Sequence, residues 1–190
     1  MEFLEDSHTY INDLGIIVPS VTQVIDWYLG SSYGDIPEDI LRRKAAYGTR
    51  VHALIENYIN GVENEFKNTL EKCSVDAFKM LEAKLPSPIV QSEQKLCNHY
   101  MGGTLDILLE NGEIADNKTY ATVDDKTLLK CKWQLSFYYL LKGYEKAKGY
   151  ILHIPKNMKY HLYTLDTFSN AECMDVVKKY YEAHNLTLIQ

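Results

Sequence analysis

The sequence lacks several features that would assign a protein class at once. No apolar run approaches the roughly 20 residues that a membrane-spanning helix needs. The four cysteines form no C-x-x-C pair and have no His-rich companion, so neither a zinc site nor an iron–sulfur cluster is indicated. The first six residues are acidic where a secretory signal peptide would be basic. These absences predict a cytoplasmic protein with no membrane partner.

Lys and Arg are also missing from the first 40 positions, which contain eight Asp and Glu. Positions 118–159 reverse this balance with nine Lys against three acids, although the chain as a whole has a net charge of −6. A basic stretch of this kind can follow a phosphate backbone. The alternative is that these lysines only form the solvent-exposed face of a helix.

The pattern of apolar residues predicts one domain over residues 1–190, with no repeat or low-complexity tract to divide it. Ser20 is a candidate N-cap of the first helix, and a polar loop is expected at 31–36. Further helices are expected at 37–59, 67–84, 127–146 and 169–184, and strands at 89–96, 101–109, 113–118, 149–154 and 160–165. This order predicts an α/β fold, an α/β/α sandwich with a central mixed β-sheet.

A hairpin is the strongest local feature of the sequence. Asn111-Gly112 predicts a two-residue turn between two strands, because both residues tolerate positive φ. The hairpin brings Asp106 beside Asp116 and Lys118, and the last two leave the same face of their strand. Two carboxylates and an ammonium at one end of a sheet suit a divalent cation and an activated water, which indicates phosphodiester hydrolysis.

Each of these residues also has a purely structural interpretation. Asp106 could form a salt bridge or lie at an exposed strand end, and Asp116 with Lys118 could be a surface ion pair. A competing D-x-K run, Asp124-Asp125-Lys126, lies in the polar segment before a helix, where Asp124 or Asp125 is a candidate N-cap. We therefore favour Asp116 and Lys118 as the site.

Two helices carry further candidates at i,i+4 spacing. His52 and Glu56 share a helix face and are credible metal ligands, although a core histidine and an exposed glutamate are the simpler interpretation. Gln134 and Tyr138 lie on an otherwise apolar helix, where they could orient a catalytic group, contact phosphate or bond to a loop carbonyl. Glu93 lies in an alternating strand and could join the acidic cluster or face solvent.

Six short motifs occur in one order along the chain. They are P-S-V-T at 19–22, G-T-x-x-H-x-x-x-E at 48–56, S-E-x-K-L at 92–96, G-T-L-D at 103–106, D-x-K-T at 116–119 and Q-L-x-x-Y-Y at 134–139. Together they resemble the PD-(D/E)XK nuclease superfamily, in particular its RecB-like and phage lambda-exonuclease-like branch. The resemblance implies a restriction-endonuclease-like core at about 89–165, after a helical part at about 20–85 and before a C-terminal helix at about 169–184.

The resemblance also implies roles for individual residues. The metal ligands would be His52, Asp106, Asp116 and the main-chain carbonyl of Asn117, where such proteins usually have an apolar or aromatic residue. Lys118 would position or activate the water, and Gln134 and Tyr138 would match the Q-x-x-x-Y motif. Glu56 and Glu93 would support the site. The expected cofactor is Mg²⁺, with Mn²⁺ as a substitute and no iron–sulfur cluster.

The implied activity is that of a metal-dependent DNA exonuclease acting from DNA ends, in phage-type recombination or DNA processing, in a bacterial or phage-infected cytoplasm. DNA is the expected partner. A homo-oligomer and a single-strand annealing or binding protein are further partners that the resemblance admits. Three alternatives stay open: a structure-specific or single-strand endonuclease, a catalytically silent binding module, and an unrelated α/β domain. The last predicts that His52, Asp106, Asp116 and Lys118 do not converge.

Overall fold

The computed structural model describes residues 1–4, 9–30, 37–145 and 148–188, so the expected loop at 31–36 and the last residue of the helix expected at 127–146 lie outside the described residues. The elements in chain order are β1 (Glu2–Leu4), β2 (Thr9–Ile11), β3 (Ile17–Val18), α1 (Val21–Leu29), α2 (Glu38–Ile59), α3 (Thr69–Glu82), β4 (Ile89–Cys97), β5 (Gly102–Leu109), β6 (Ile114–Lys118), α4 (Asp125–Lys142), β7 (Lys148–His153), β8 (His161–Asp166) and α5 (Asn170–Ala183). Among the described residues, every helix is too short or too polar to cross a membrane.

The central sheet has five strands in the order β4-β5-β6-β7-β8. Neighbouring strands are antiparallel except β6 and β7, which run parallel. Buried side chains of α1, α4 and α5 pack in one hydrophobic cluster, and those of α2 and α3 pack in a second. Along β7, Ile151 belongs to the first cluster, and Tyr150 and Leu152 belong to the second, so the helices cover both faces. The predicted α/β/α sandwich with a mixed sheet is confirmed.

Capping residues set the ends of two helices that frame the site. Ser20 caps α1 as predicted, and Gln23 completes a reciprocal capping box with it. The side chain of Asp124 accepts a hydrogen bond from the backbone N–H of Thr127 at 2.8 Å, which makes Asp124 the N-cap of α4. The helix stops at Lys142, four residues before the predicted end, because Gly143 takes a left-handed conformation with φ +68°.

The hairpin forms where it was predicted, but its turn is longer than two residues. The backbone N–H of Leu109 donates to the carbonyl of Glu113, and that of Gly112 donates to the carbonyl of Leu109. The loop therefore has three residues, and only Gly112 has a positive φ, at +80°. This is the hairpin in which a turn is followed by a left-handed glycine.

A small N-terminal sheet, β1-β2-β3, was not predicted from the sequence. Its strands have two or three residues each, which is too short to show an alternating pattern. The buried ring of Tyr10 packs against Gly102, where an added Cβ atom would run into that ring. The backbone N–H of Gly102 donates to the carbonyl of Pro19 at 3.0 Å, so the start of α1 is fixed beside β5.

Candidate active site

The four side chains proposed to form a site converge at one end of the hairpin. Asp106 on β5 accepts a hydrogen bond from the backbone N–H of Asn117 on β6 at 2.8 Å. His52 on α2 lies 3.4 Å from the Asp106 carboxylate, and the Lys118 ammonium lies 2.6 Å from that of Asp116. An unrelated domain with coincidental motifs predicts the opposite arrangement.

His52, Glu93 and Asp106 form a compact group of potential metal ligands. Their ligand atoms all lie within 4.8 Å of one another. His52 Nδ1 lies 3.5 Å from Glu93 Oε1 and 3.4 Å from Asp106 Oδ2, and its Nε2 lies 3.1 Å from the carbonyl oxygen of Asn117. One imidazole, two carboxylates and a nearby carbonyl are donors that Mg²⁺ and Mn²⁺ accept. The donor set of this structure therefore fits the expected metal.

Glu93 reaches the group through an unusual backbone conformation. It lies between the paired residues Ser92 and Gln94 of β4, which places it across from Asp106 on β5. Its φ is +49°, in the left-handed region that residues other than glycine seldom adopt. Such strain persists where surrounding contacts enforce it, and it concentrates at functional sites. Of the two options left open for Glu93, the structure has the one in the acidic cluster.

Asp116 belongs to a second network that connects β6 to α4. Its Oδ2 pairs with Lys118, and its Oδ1 accepts a hydrogen bond from Gln134 Nε2 at 2.9 Å. The same Gln134 Nε2 donates to the hydroxyl of Tyr138 at 3.2 Å. Among the described residues, Asp116 is therefore outside the group of His52, Glu93 and Asp106. Its expected role as a metal ligand stays a prediction.

Burial raises the pKa of both aspartates above the usual value of the side chain. Asp116 is fully buried and Asp106 is 7% exposed. Burial, together with the charge of Asp106, raises the pKa of Asp116 to about 6, although Lys118 acts in the opposite direction. Burial also raises the pKa of Asp106, against the pull of His52 and Lys118. A cation bound beside Asp106 and Asp116 would stabilise the charged form of both carboxylates.

Neighbouring acidic side chains favour the charged forms of His52 and Lys118. Burial lowers the pKa of His52, but the charge of Asp106 and the contact with Glu93 outweigh it and raise the pKa to about 9. Burial likewise lowers the pKa of Lys118, but Asp116 and other neighbours raise it well above its usual range. Lys118 is therefore an ammonium at neutral pH, suited to donating hydrogen bonds rather than to accepting a proton.

A cavity of about 160 Å³ connects the two networks to the surface. His52, Asp106, Lys118, Gln134 and Tyr138 line it. The N-terminal sheet, the start of α1 and β5 complete the lining with Tyr10, Ser20, Val21, Thr22, Gly103 and Thr104. Tyr10 is the lining residue that no sequence motif indicated. The P-S-V-T and G-T-L-D motifs contain the other five of these residues, and Ser20 caps a helix whose first residues line the cavity.

Two glycines allow this close packing. A Cβ atom on Gly103 would lie 2.7 Å from the ring of Tyr138. A Cβ atom on Gly48 would lie 3.2 Å from the side-chain oxygen of Thr119, the residue after Lys118. Gly48 therefore lets α2 approach the end of β6, which places His52, one turn later, over the site.

One candidate is not brought into either network. Glu56 follows His52 by one turn of α2 and is half-buried. In the described part of the chain it does not belong to the group of potential metal ligands. Its supporting role stays a prediction.

Comparisons with known proteins give a fold but no family. No family model matches the chain. No curated protein matches it. Among solved structures, the crystal structure of SSO0001 is 14% identical, with 88% of this chain and 76% of that chain covered and a TM-score of 0.53. A phage-related exonuclease from Haemophilus somnus 129PT is 16% identical, with 90% and 93% covered and a TM-score of 0.50.

A third solved structure, LHK-Exo in complex with dAMP, is 12% identical over 88% of each chain, with a TM-score of 0.48. At these identities the likeness is one of fold. The chain therefore has the mixed α/β fold found in SSO0001 and in the phage-related exonuclease, and its function has to be argued from the site.

Proposed function

We propose that the protein is a metal-dependent nuclease that hydrolyses phosphodiester bonds of DNA, starting from DNA ends. The observation that carries this proposal is the cavity that His52 and Asp106 of the ligand group line together with the buried Lys118. A ligand group alone could hold a structural ion. An ammonium in the same cavity adds a donor for a charged oxygen, which phosphodiester hydrolysis requires.

His52, Glu93, Asp106 and the carbonyl of Asn117 would hold the metal, with Asp116 as a further ligand. The bound Mg²⁺ or Mn²⁺ would supply an activated water and charge stabilisation at the phosphate. Burial and neighbouring negative charge raise the pKa of Asp106 and Asp116, so a bound cation would stabilise the ionised form of both carboxylates. Imidazole among the ligands is compatible with Mn²⁺ as a substitute for Mg²⁺.

Lys118 would orient the attacking water or bind a phosphate oxygen through its N–H groups. Asp116 holds this ammonium in place, and Gln134 in turn holds Asp116. The hydroxyl of Tyr138 and the amide of Gln134 lie at the same cavity, where they can position the substrate or the carboxylate. This chain of contacts fixes the geometry before substrate binds, which lowers the cost of reaching the transition state.

The choice of DNA ends rests on the family resemblance and on the name of a neighbour with the same fold, the phage-related exonuclease. We include in the proposal one nuclease domain over residues 1–190 and a cytoplasmic setting of phage-type recombination or DNA processing. A homo-oligomer and a single-strand annealing or binding partner belong to the same proposal.

Digestion of three labelled substrates tests the proposal: a linear duplex, its separated strands and a closed circle, each with Mg²⁺ and with EDTA. We expect metal-dependent loss of linear DNA only. The variant Lys118→Met should lose about 10²–10³-fold in rate, the loss expected for one preorganised donor. Lys178→Ala, which removes an exposed lysine on α5, is the matched control and should retain full activity.

The other outcomes are also informative. Cutting of the closed circle would indicate that the protein is an endonuclease of the same fold and not an exonuclease. DNA binding without cleavage under any divalent metal would indicate a silent binding module. A Lys118→Met variant that is folded and fully active would refute the assigned site.

A further inference from the structure

The loop between β7 and β8 lies at the same end of the sheet as the candidate active site. Strands β6 and β7 are parallel, and Lys118 is paired with His153, so both strands end together. The backbone N–H of Ile154 donates to the carbonyl of Lys118 at 2.7 Å. The segment that follows β7 is thus attached to the main chain of the candidate catalytic lysine.

Local hydrogen bonds give this loop a defined shape. His153 Nε2 donates to the carbonyl of Tyr120 at 2.8 Å, which joins it to the segment after β6. The backbone N–H of Met158 donates to the carbonyl of Pro155 at 3.0 Å, and that of Lys159 donates to the Asn157 side chain at 3.0 Å. A surface held in this way loses little conformational entropy when a ligand binds.

The loop presents positive charge without nearby acids in its own sequence. Residues 117–123 and 149–165 contain no Asp or Glu, and Lys156 and Lys159 are exposed. The Lys156 ammonium lies 4.1 Å from the centre of the Tyr47 ring on α2. Lys44, also exposed, precedes Tyr47 by one turn and extends the same basic side.

Among the described residues, the acid that shares a groove with this loop already has cationic partners. Asp76 on α3 lines a groove together with Met158 and Tyr160. Its carboxylate lies 2.8 Å from the Lys72 ammonium and 3.8 Å from that of Lys79. Asp76 therefore does not cancel the charge of the loop.

We propose that Lys156 and Lys159 form a phosphate-binding surface for the nucleic-acid backbone next to the cleavage site. This inference rests on the proposed function and extends it. Lys156 is two residues beyond the contact with Lys118, a chain distance of at most about 7 Å, so its ammonium lies within a few phosphates of the reacting one. Exposed rings of Tyr120 and Tyr160 flank the loop and suit stacking on unpaired bases. This mixture of lysine and tyrosine favours nucleic acid over an acidic protein.

The salt dependence of DNA binding tests this surface. We would measure the dissociation constant of a labelled linear duplex by fluorescence anisotropy in EDTA at several NaCl concentrations. Each phosphate contact contributes about 0.9 to the slope of log K against log salt concentration. The double variant Lys156→Ala/Lys159→Ala should therefore have a slope that is smaller by about 1.8.

The matched control is Lys178→Ala/Lys179→Ala on α5, which removes the same charge from the opposite face of the sheet. It should keep the wild-type slope, and unchanged thermal unfolding should show that both variants are folded. Equal slopes for the loop variant and wild type, with cleavage intact, would refute the surface and leave the nuclease standing. A wild-type protein that neither binds nor cleaves DNA would refute both.

Discussion

The ion pair between Lys118 and Asp116 allows a quantitative test of the site. Asp116 is fully buried, and its carboxylate lies 2.6 Å from the Lys118 ammonium. The substitution Lys118→Met removes the positive charge and keeps most of the side-chain length. A carboxylate left alone in this environment should take up a proton rather than stay charged.

The expected size of the effect follows from the pKa of Asp116. In the wild type this pKa is raised from 3.8 to about 6. The free energy of unfolding therefore falls as the pH rises and Asp116 ionises in the folded protein, and this fall levels off above about pH 6. In Lys118→Met the pKa rises further, and stability continues to fall by about 1.4 kcal/mol per pH unit. The variant should thus lose about 2 kcal/mol more than wild type between pH 5 and pH 7.5.

Urea unfolding in EDTA at pH 5, 6 and 7.5 measures this difference, and EDTA removes any stabilisation by metal. The double variant Lys118→Met/Asp116→Asn carries no titrating group at the pair. It should therefore lack the additional pH dependence of the unfolding free energy that is expected for Lys118→Met. Parallel pH profiles of wild type and Lys118→Met would refute the reasoning, because they would mean that Asp116 does not titrate against Lys118.

Two further predictions concern the metal ligands and the cavity wall. Because His52 must be neutral to bind a metal and its pKa is raised to about 9, the affinity for Mn²⁺ should increase about tenfold per pH unit between pH 7 and 8. Calorimetry should show that the Mn²⁺ affinity of His52→Asn depends much less on pH. An equally steep pH dependence would mean that His52 is not the group that releases a proton when the metal binds. Gly102→Ala should cost about 1–3 kcal/mol in urea unfolding, because the added methyl group collides with Tyr10. Tyr10→Leu in the same chain should restore part of this loss, and no loss at all would contradict the packing.

Local patterns in the sequence were sufficient for most of the central fold. The helix at 37–59 and the strand at 89–96 were placed to within about one residue, because apolar spacing and breakers act over a few residues. The predicted end of α4 at residue 146 was wrong, because Gly143 takes a left-handed conformation and ends the helix at Lys142. The two-residue turn was also wrong, because loop length depends on how the strands pair rather than on the Asn-Gly dipeptide alone.

Contacts between distant segments decided the rest. The sequence indicated that Asp116 and Lys118 share a strand face, and they form an ion pair in the structure. Nothing local indicated that Glu93 would adopt a positive φ opposite Asp106, or that Gln134 would bind the second oxygen of Asp116. These contacts join residues many positions apart, so no sequence period encodes them.

The sequence by itself determined the candidate residues, because their types, order and spacing are local properties. Tertiary structure decided which of them meet. The parallel pairing of β6 with β7 places Lys118 beside the basic loop, and the contacts of Gly102 with Tyr10 and Pro19 place the start of α1 at the cavity. Both depend on long-range strand pairing and close packing, which are properties of the assembled core rather than of any one segment.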